Sequence, residues 1–73
     1  MKLKDDEGYV LLLNAADIAY VEFEDDEDTF LVEIKTRLRD SNDDFVGFAL
    51  VYSSKTNAMN AVNEIQRYME EVK

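Results

Sequence analysis

The sequence predicts a small α+β domain in which four antiparallel strands form a meander and one C-terminal helix packs on one face of the sheet, in the order ββββα. Short apolar runs are separated by clusters of Asp, Asn and Ser, with no Pro in the chain. The spacing of apolar residues then changes from strand-like to helix-like near residue 55. A partly closed barrel capped by the helix is the alternative arrangement.

The first two predicted strands are short runs of apolar and β-branched residues. Residues 9–13 are one Tyr, one Val and three Leu between two polar clusters, which suits a strand. Residues 18–24 are rich in β-branched and aromatic side chains, which favour a second strand. The acidic segment 25–29 that follows is short enough for a hairpin connection.

In the third predicted strand, residues 30–38, apolar and polar side chains alternate, as they do in a strand with one buried face. The apolar face is expected to consist of Phe30, Val32, Ile34, Thr36 and Leu38. After the loop 39–44, residues 45–52 carry no charge at all, which is typical of a strand covered on both faces.

Both faces of this fourth strand must be shielded from water, and the single helix can cover only one face of the sheet. Gly47 and Ala49 suit close approach of the helix, so the larger side chains are expected to face away from it. These are Val46, Phe48, Leu50 and Tyr52. An exposed apolar patch of this kind marks an interface, here between two copies of the chain. Curvature of the sheet into a partial barrel would cover the patch instead.

The last element is predicted to be an amphipathic helix that begins at Lys55. Ser53 and Ser54 supply hydroxyl groups for its N-terminal cap. Its apolar stripe has the helical spacing and consists of Ala58, Ala61, Val62, Ile65, Met69 and Val72.

The composition argues against catalysis. The 73 residues suffice for a single domain, residues 1–73, and include no His and no Cys. Activated nucleophiles usually depend on a neighbouring imidazole, and two isolated glycines do not form a phosphate-binding loop. We therefore expect a protein that is not an enzyme and holds no cofactor.

A metal site is also not expected. Asp40, Asn42 and Asp44 reproduce the first oxygen positions of an EF-hand loop, but Phe45 and Val51 stand where that loop requires Gly and Glu. We interpret the segment as a turn. The acidic segment 25–28 could hold a hard cation only loosely.

Charge and hydropathy narrow the set of partners. The net charge of −9 repels phosphate backbones and anionic lipid headgroups, so neither direct nucleic-acid binding nor membrane binding is expected. No apolar run approaches the roughly 20 residues that cross a bilayer. The absence of Cys fits a reducing compartment, and we expect a cytoplasmic location.

The acidic residues gather in two stretches that a meander would bring to one end of the sheet. Six of the seven residues from 22 to 28 are acidic, whereas solubility of a small domain requires a net charge of only about 2 to 8 in magnitude. The candidate partner-binding residues are Asp5, Asp6, Glu7, Glu22, Glu24, Asp25, Asp26, Glu27 and Asp28.

These features predict a protein–protein interaction domain whose acidic end binds a basic protein surface. A groove lined by Lys and Arg that normally holds nucleic acid is such a surface. In size, acidity and lack of catalytic residues the chain resembles small phage-encoded inhibitors of host nucleases, known as DNA mimics. The resemblance implies inhibition of a nucleic-acid-binding protein and is carried by charge and length over the whole chain. The alternative function is a homodimeric assembly module whose acidity serves only solubility.

Overall fold

The computed structural model describes residues 1–71, and the α+β class is confirmed. Its elements, in chain order, are β1 (Lys2–Lys4), β2 (Val10–Leu12), a 3-10 helix (Ala15–Asp17), β3 (Ile18–Asp26), β4 (Thr29–Arg39), β5 (Phe45–Tyr52) and α1 (Lys55–Glu71). Val72, the last residue of the predicted helical stripe, lies outside the described residues.

The strands form one sheet of three strands and one of two, so the structure is only broadly compatible with the predicted four-stranded meander. β3, β4 and β5 form a three-stranded antiparallel sheet with β4 in the centre. Leu31 of β4 lies opposite Glu24 on one side and Val51 on the other. β1 and β2 form a separate antiparallel pair in which Leu3 lies opposite Leu11. The first predicted strand therefore pairs with the N-terminal segment and not with β3.

Local structure on both sides of β2 explains this pairing. The Asn14 side chain accepts a hydrogen bond from the Ala16 N–H at 3.0 Å and caps the 3-10 helix, which turns the chain away before β3 begins. At the other end of β2, Gly8 has a φ of 88° and closes a tight turn that returns the chain alongside β1. The sequence pattern does not reveal β1, because its three residues include a single apolar side chain, Leu3.

The apolar core lies between α1 and the sheet face that α1 covers, here called the inner face. The alternation predicted for the third strand is confirmed at Val32, Ile34 and Thr36, which are at most 1% exposed. The prediction for Leu38 is wrong, since its side chain is 45% exposed. The β4–β5 register shifts between Lys35 and Arg39, so the alternation does not continue to the end of β4.

The orientation predicted for β5 is wrong. Leu50 and Tyr52 are 0% and 6% exposed and belong to the core, and alternation along a strand puts Gly47 and Ala49 on the opposite, outer face. The inner face of β5 consists of Val46, Phe48, Leu50 and Tyr52, the residues expected to form a dimer interface. Because the larger side chains bury more apolar surface than Gly and Ala, Phe48, Leu50 and Tyr52 pack in the core and do not form the exposed patch that was expected.

The predicted helix is confirmed, with an apolar stripe that packs on the inner face. Ser54 Oγ accepts a hydrogen bond from the Asn57 N–H at 3.3 Å, so Ser54 is the N-cap. The buried residues of the stripe are Ala58, Ala61, Val62 and Ile65, and Met69 packs at the margin of the core.

Candidate functional site

Six carboxylates project from β3 and from the loop that joins it to β4, and all of these side chains are exposed. We call this set the acidic hairpin; it consists of Glu22, Glu24, Asp25, Asp26, Glu27 and Asp28. Because side chains alternate along a strand, Glu22, Glu24 and Asp26 share the outer face at intervals of about 7 Å. Asp26 pairs with Thr29, so the hairpin ends in the two-residue loop 27–28.

The charge of the acidic hairpin is not balanced by ion pairs. Within residues 1–71, the single ion pair joins Arg39 to Asp43 at 3.3 Å, at the opposite end of β4. Glu22 lies directly opposite Glu33 of β4, and like charges in such cross-strand positions destabilise a sheet. The hairpin therefore combines several carboxylates whose mutual repulsion opposes folding.

Backbone strain coincides with this charge. Glu27 has a φ of 52°, in the left-handed region that disfavours residues with a Cβ atom. Gly or Asn is the usual residue at such a position in a two-residue hairpin loop. A Glu there, with Asp26 and Asp28 on either side, adds conformational strain to charge repulsion at the tip of the hairpin.

Asp5 has a structural role, which argues against its predicted part in partner binding. Asp5 as a whole is only 6% exposed to solvent. Oδ1 accepts hydrogen bonds from the N–H groups of Glu7 at 3.0 Å and Tyr9 at 2.8 Å, and Oδ2 accepts one from Val51 at 3.1 Å. A carboxylate occupied in this way holds the β1–β2 turn together and fastens it to the edge of β5.

Asp6 has a similar role, although its side chain is exposed. Its Oδ2 accepts hydrogen bonds from the N–H group and the hydroxyl of Ser53, at 2.9 and 3.1 Å. Its own N–H donates to the Val51 carbonyl at 3.0 Å. Of the first predicted stretch, only the exposed Glu7 has a side chain without a hydrogen bond among the described residues.

The two acidic stretches lie at the same end of the sheet but on opposite edges. Glu24, Leu31 and Val51 form one row across β3, β4 and β5, and Asp5 is bonded to the far side of Val51. Three strand spacings separate Glu24 from Asp5, which amounts to roughly 14 Å. The single cluster expected from a meander is therefore divided, and the acidic hairpin is the part with free carboxylates.

The segment 40–44 is a turn, as predicted. Asp40 Oδ1 accepts hydrogen bonds from the N–H groups of Asn42 at 2.8 Å and Asp44 at 3.1 Å, so it caps the loop. Asp43 takes the left-handed position of this turn, with a φ of 64°. Among residues 1–71, no three carboxylates are grouped closely enough to hold a metal ion.

Tyr52 links the β1–β2 pair to the core. Its hydroxyl donates a hydrogen bond to the Lys4 carbonyl at 3.3 Å. Burial raises the pKa of the Tyr52 phenol, and the nearby carboxylates of Asp5, Asp6 and Glu64 raise it further. The neutral phenol is therefore the form that the fold favours.

The sequence interpretation missed a shallow groove of about 350 Å³ on the outer face. Its floor lies where Gly47 and Ala49 leave β5 without large side chains. The groove is lined by Tyr20, Glu22, Glu33, Ile34, Lys35, Gly47, Phe48 and Ala49. The sequence signal for this groove is the pair of small residues at alternate positions of an otherwise bulky strand, which lie on the outer face and not, as predicted, on the helix side.

Comparison of the chain with protein-family models, with curated proteins and with solved structures gives no match. In the part of the chain that the structure describes, no helix is long and apolar enough to cross a membrane. The geometry and charge of the chain itself are therefore the basis for assigning it a function.

Proposed function

We propose that the protein is a non-enzymatic interaction domain whose acidic hairpin binds a basic protein surface. The observation that carries this proposal is the contrast between two groups of carboxylates. Asp5, Asp6 and Asp40 accept hydrogen bonds from the backbone and hold turns together. The carboxylates of the acidic hairpin are exposed, have no ion pair within residues 1–71 and surround a strained residue.

The spacing of these charges suits a surface that normally binds nucleic acid. Glu22, Glu24 and Asp26 repeat at about 7 Å, close to twice the axial rise of about 3.4 Å per phosphate along one DNA strand. A Lys- and Arg-lined groove matched to phosphates would therefore meet carboxylates at compatible intervals. Inhibition of a nucleic-acid-binding protein, such as a nuclease, by occupation of its groove is the specific form of the proposal.

The absence of enzymatic activity is part of the same proposal. The sequence has no His and no Cys, and the described carboxylates include no group that could hold a metal ion. The side chains of the acidic hairpin are all exposed, so they do not enclose a space in which a substrate could be kept from water. Electrostatic docking requires only exposed charge and does not need such a space.

The test compares two variants of equal net charge. In the hairpin variant, Asp25, Asp26 and Asp28 become Asn and Glu27 becomes Gln. In the control variant, four exposed or half-exposed acids elsewhere are neutralised: Asp44→Asn, Glu64→Gln, Glu70→Gln and Glu71→Gln. Removal of four charges changes the net charge from −9 to −5 in both variants.

Each immobilised protein is incubated with lysate, and the captured proteins are compared at low and high salt and with duplex DNA as competitor. We expect the wild type and the control variant to retain the same basic protein at about 0.1 M salt and to lose it at about 1 M, where screening is strong. Duplex DNA should displace it, and the hairpin variant should not retain it. Equal retention by the hairpin variant, or retention that salt and DNA do not reduce, would contradict the proposal.

A further inference from the structure

The sheet has two edges, and they are protected very differently. The edge strand β3 contains four acidic residues, Glu22, Glu24, Asp25 and Asp26, which discourage pairing with another strand. The edge strand β5 contains no charged residue and no Pro along its eight residues. Natural sheets usually guard such an edge with charge, Pro or a covering segment, so an unguarded edge marks a place where another strand can pair.

Part of the β5 edge is covered by the chain itself, and this shows what kind of group the edge binds. Val51 donates its N–H to Asp5 Oδ2 and accepts from the Asp6 N–H, so its backbone groups point away from β4. Alternate residues of a strand direct their backbone groups to the same edge, so those of Gly47 and Ala49 also point outward. Within residues 1–71, neither residue has a hydrogen-bond partner on that edge.

We infer that the free edge of β5 binds an extended segment of the partner as a fourth strand, with an Arg or Lys side chain of that segment directed to Glu33. This inference depends on the proposed function, because it assumes that the partner is basic. In such strand addition, main-chain hydrogen bonds supply affinity and alternate side chains supply specificity. The N–H and C=O groups of Gly47 and Ala49 supply the main-chain part.

Charge complementarity identifies the side chains of the added strand. Glu33 lies opposite Ala49 on the outer face and opposite Glu22 on its other side. An added strand would lie about 5 Å beyond β5 and about 10 Å from β4, a distance that an Arg side chain and a Glu side chain can span together. Ala49 is small enough to let the Arg side chain pass over it, and the guanidinium would relieve the repulsion between Glu33 and Glu22.

Lys35 determines which type of residue of the added strand can lie beside Gly47. Its side chain lies over Gly47, where an added Cβ atom would be only 3.3 Å from both Cδ and Nζ. A residue of the added strand beside Gly47 therefore meets an ammonium group and should be apolar or acidic, whereas the residue beside Ala49 should be basic. A second copy of the chain fits this pattern poorly, because β5 has no basic residue and each copy has a net charge of −9.

The experiment uses the full chain labelled with ¹⁵N and two short, capped peptides as probes. In one peptide, here called the Arg–Val peptide, a single central Arg lies among Val and Thr residues, and in the other, the Glu–Val peptide, Glu replaces that Arg. Amide chemical shifts and hydrogen exchange are followed during titration. We expect the Arg–Val peptide to bind and to slow exchange of the Gly47 and Ala49 amides, and the Glu–Val peptide to do neither.

Two substitutions separate the contribution of the main-chain hydrogen bonds to peptide binding from that of the Glu33 carboxylate. Ala49→Pro removes an outward N–H without breaking the β4–β5 ladder and should weaken binding by about tenfold or more. Glu33→Gln leaves the edge intact and should weaken binding of the Arg–Val peptide by roughly fivefold to tenfold. The folded state of each variant is checked by its amide spectrum, and Ala49→Ser, which keeps the N–H and a small side chain, is the control for Ala49→Pro.

Four results would overturn the inference. These are the absence of peptide binding, binding without protection of Gly47 and Ala49, equal binding by Ala49→Pro, and protection of the edge by self-association that doubles the mass without peptide.

The hairpin variant distinguishes this inference from the proposed function. If the hairpin variant loses the captured protein while Ala49→Pro retains it, strand addition is wrong and the proposed function stands. If Ala49→Pro loses it while the hairpin variant retains it, the acidic hairpin is not the docking surface.

Discussion

Replacement of Asp5 by Ala tests whether this carboxylate is a structural acceptor. It accepts three backbone hydrogen bonds, from Glu7, Tyr9 and Val51, at 3.0, 2.8 and 3.1 Å. Hydrogen bonds to a charged group contribute about 1.5–3 kcal/mol each. Since water can reach Glu7 and Tyr9 once the carboxylate is gone, we take the lower end of this range for the three bonds and expect a loss of about 4–5 kcal/mol. A chain of 73 residues has a total free energy of unfolding of about 4–11 kcal/mol.

The free energies of unfolding are measured by urea titration with circular dichroism as the signal. Asp5→Asn should lose about 2 kcal/mol, because its amide oxygen can still accept from Glu7 and Tyr9 while its NH₂ group faces the Val51 N–H. Asp25→Asn is the control, since the Asp25 side chain is exposed and makes no hydrogen bond within residues 1–71. A loss below about 1 kcal/mol for Asp5→Ala, with an unchanged dependence on urea concentration, would refute the reasoning.

Three further substitutions test other parts of the structure. The neutral Tyr52 phenol stabilises the fold fully at pH values below the unfolded pKa of about 10, and this stabilisation is lost as the pH rises through the raised pKa of the folded state. The urea midpoint of the wild type should therefore fall more than that of Tyr52→Phe between pH 9 and 11. Parallel pH dependences of the two midpoints would contradict this. Asp43→Gly should raise the urea midpoint, because relief of the left-handed backbone, worth about 1 kcal/mol, exceeds the exposed ion pair with Arg39; a lower midpoint would be contrary to expectation. Leu50→Ala should cost about 2–5 kcal/mol in the same titration, because Leu50 is fully buried; a change typical of a surface position would mean that β5 faces the other way.

The parts of the fold that the sequence predicted correctly are those with a strong local pattern. One-sided burial produces a periodic order of apolar residues that can be read from the sequence. This holds for the alternation at Val32, Ile34 and Thr36 and for the helical stripe from Ala58 to Ile65. The pairing of β2 was not predictable in the same way, because it depends on a turn at Gly8 and on the short strand β1. Neighbours in sequence usually pair, and here the 3-10 helix at residues 15–17 prevents it.

The orientation of β5 was mispredicted because an uncharged strand has no pattern that distinguishes its faces. Tertiary packing decided the outcome, since α1 covers the face with the larger side chains, which include Leu50 and Tyr52. The candidate site shows the same limit. The acidic run 22–28 is visible in the sequence, whereas the structural use of Asp5 depends on its contact with Val51, which is 46 residues away along the chain.

The most direct test of the central claim is a comparison of urea midpoints for the hairpin variant, the control variant and the wild type at low salt. If the carboxylates at 25–28 serve binding and oppose folding, the hairpin variant should be more stable than the wild type and gain more than the control variant, because its removed charges lie closer together. The gain should shrink as salt screens the repulsion. A hairpin variant that is less stable than the wild type would contradict this claim, because it would show that these carboxylates stabilise the fold.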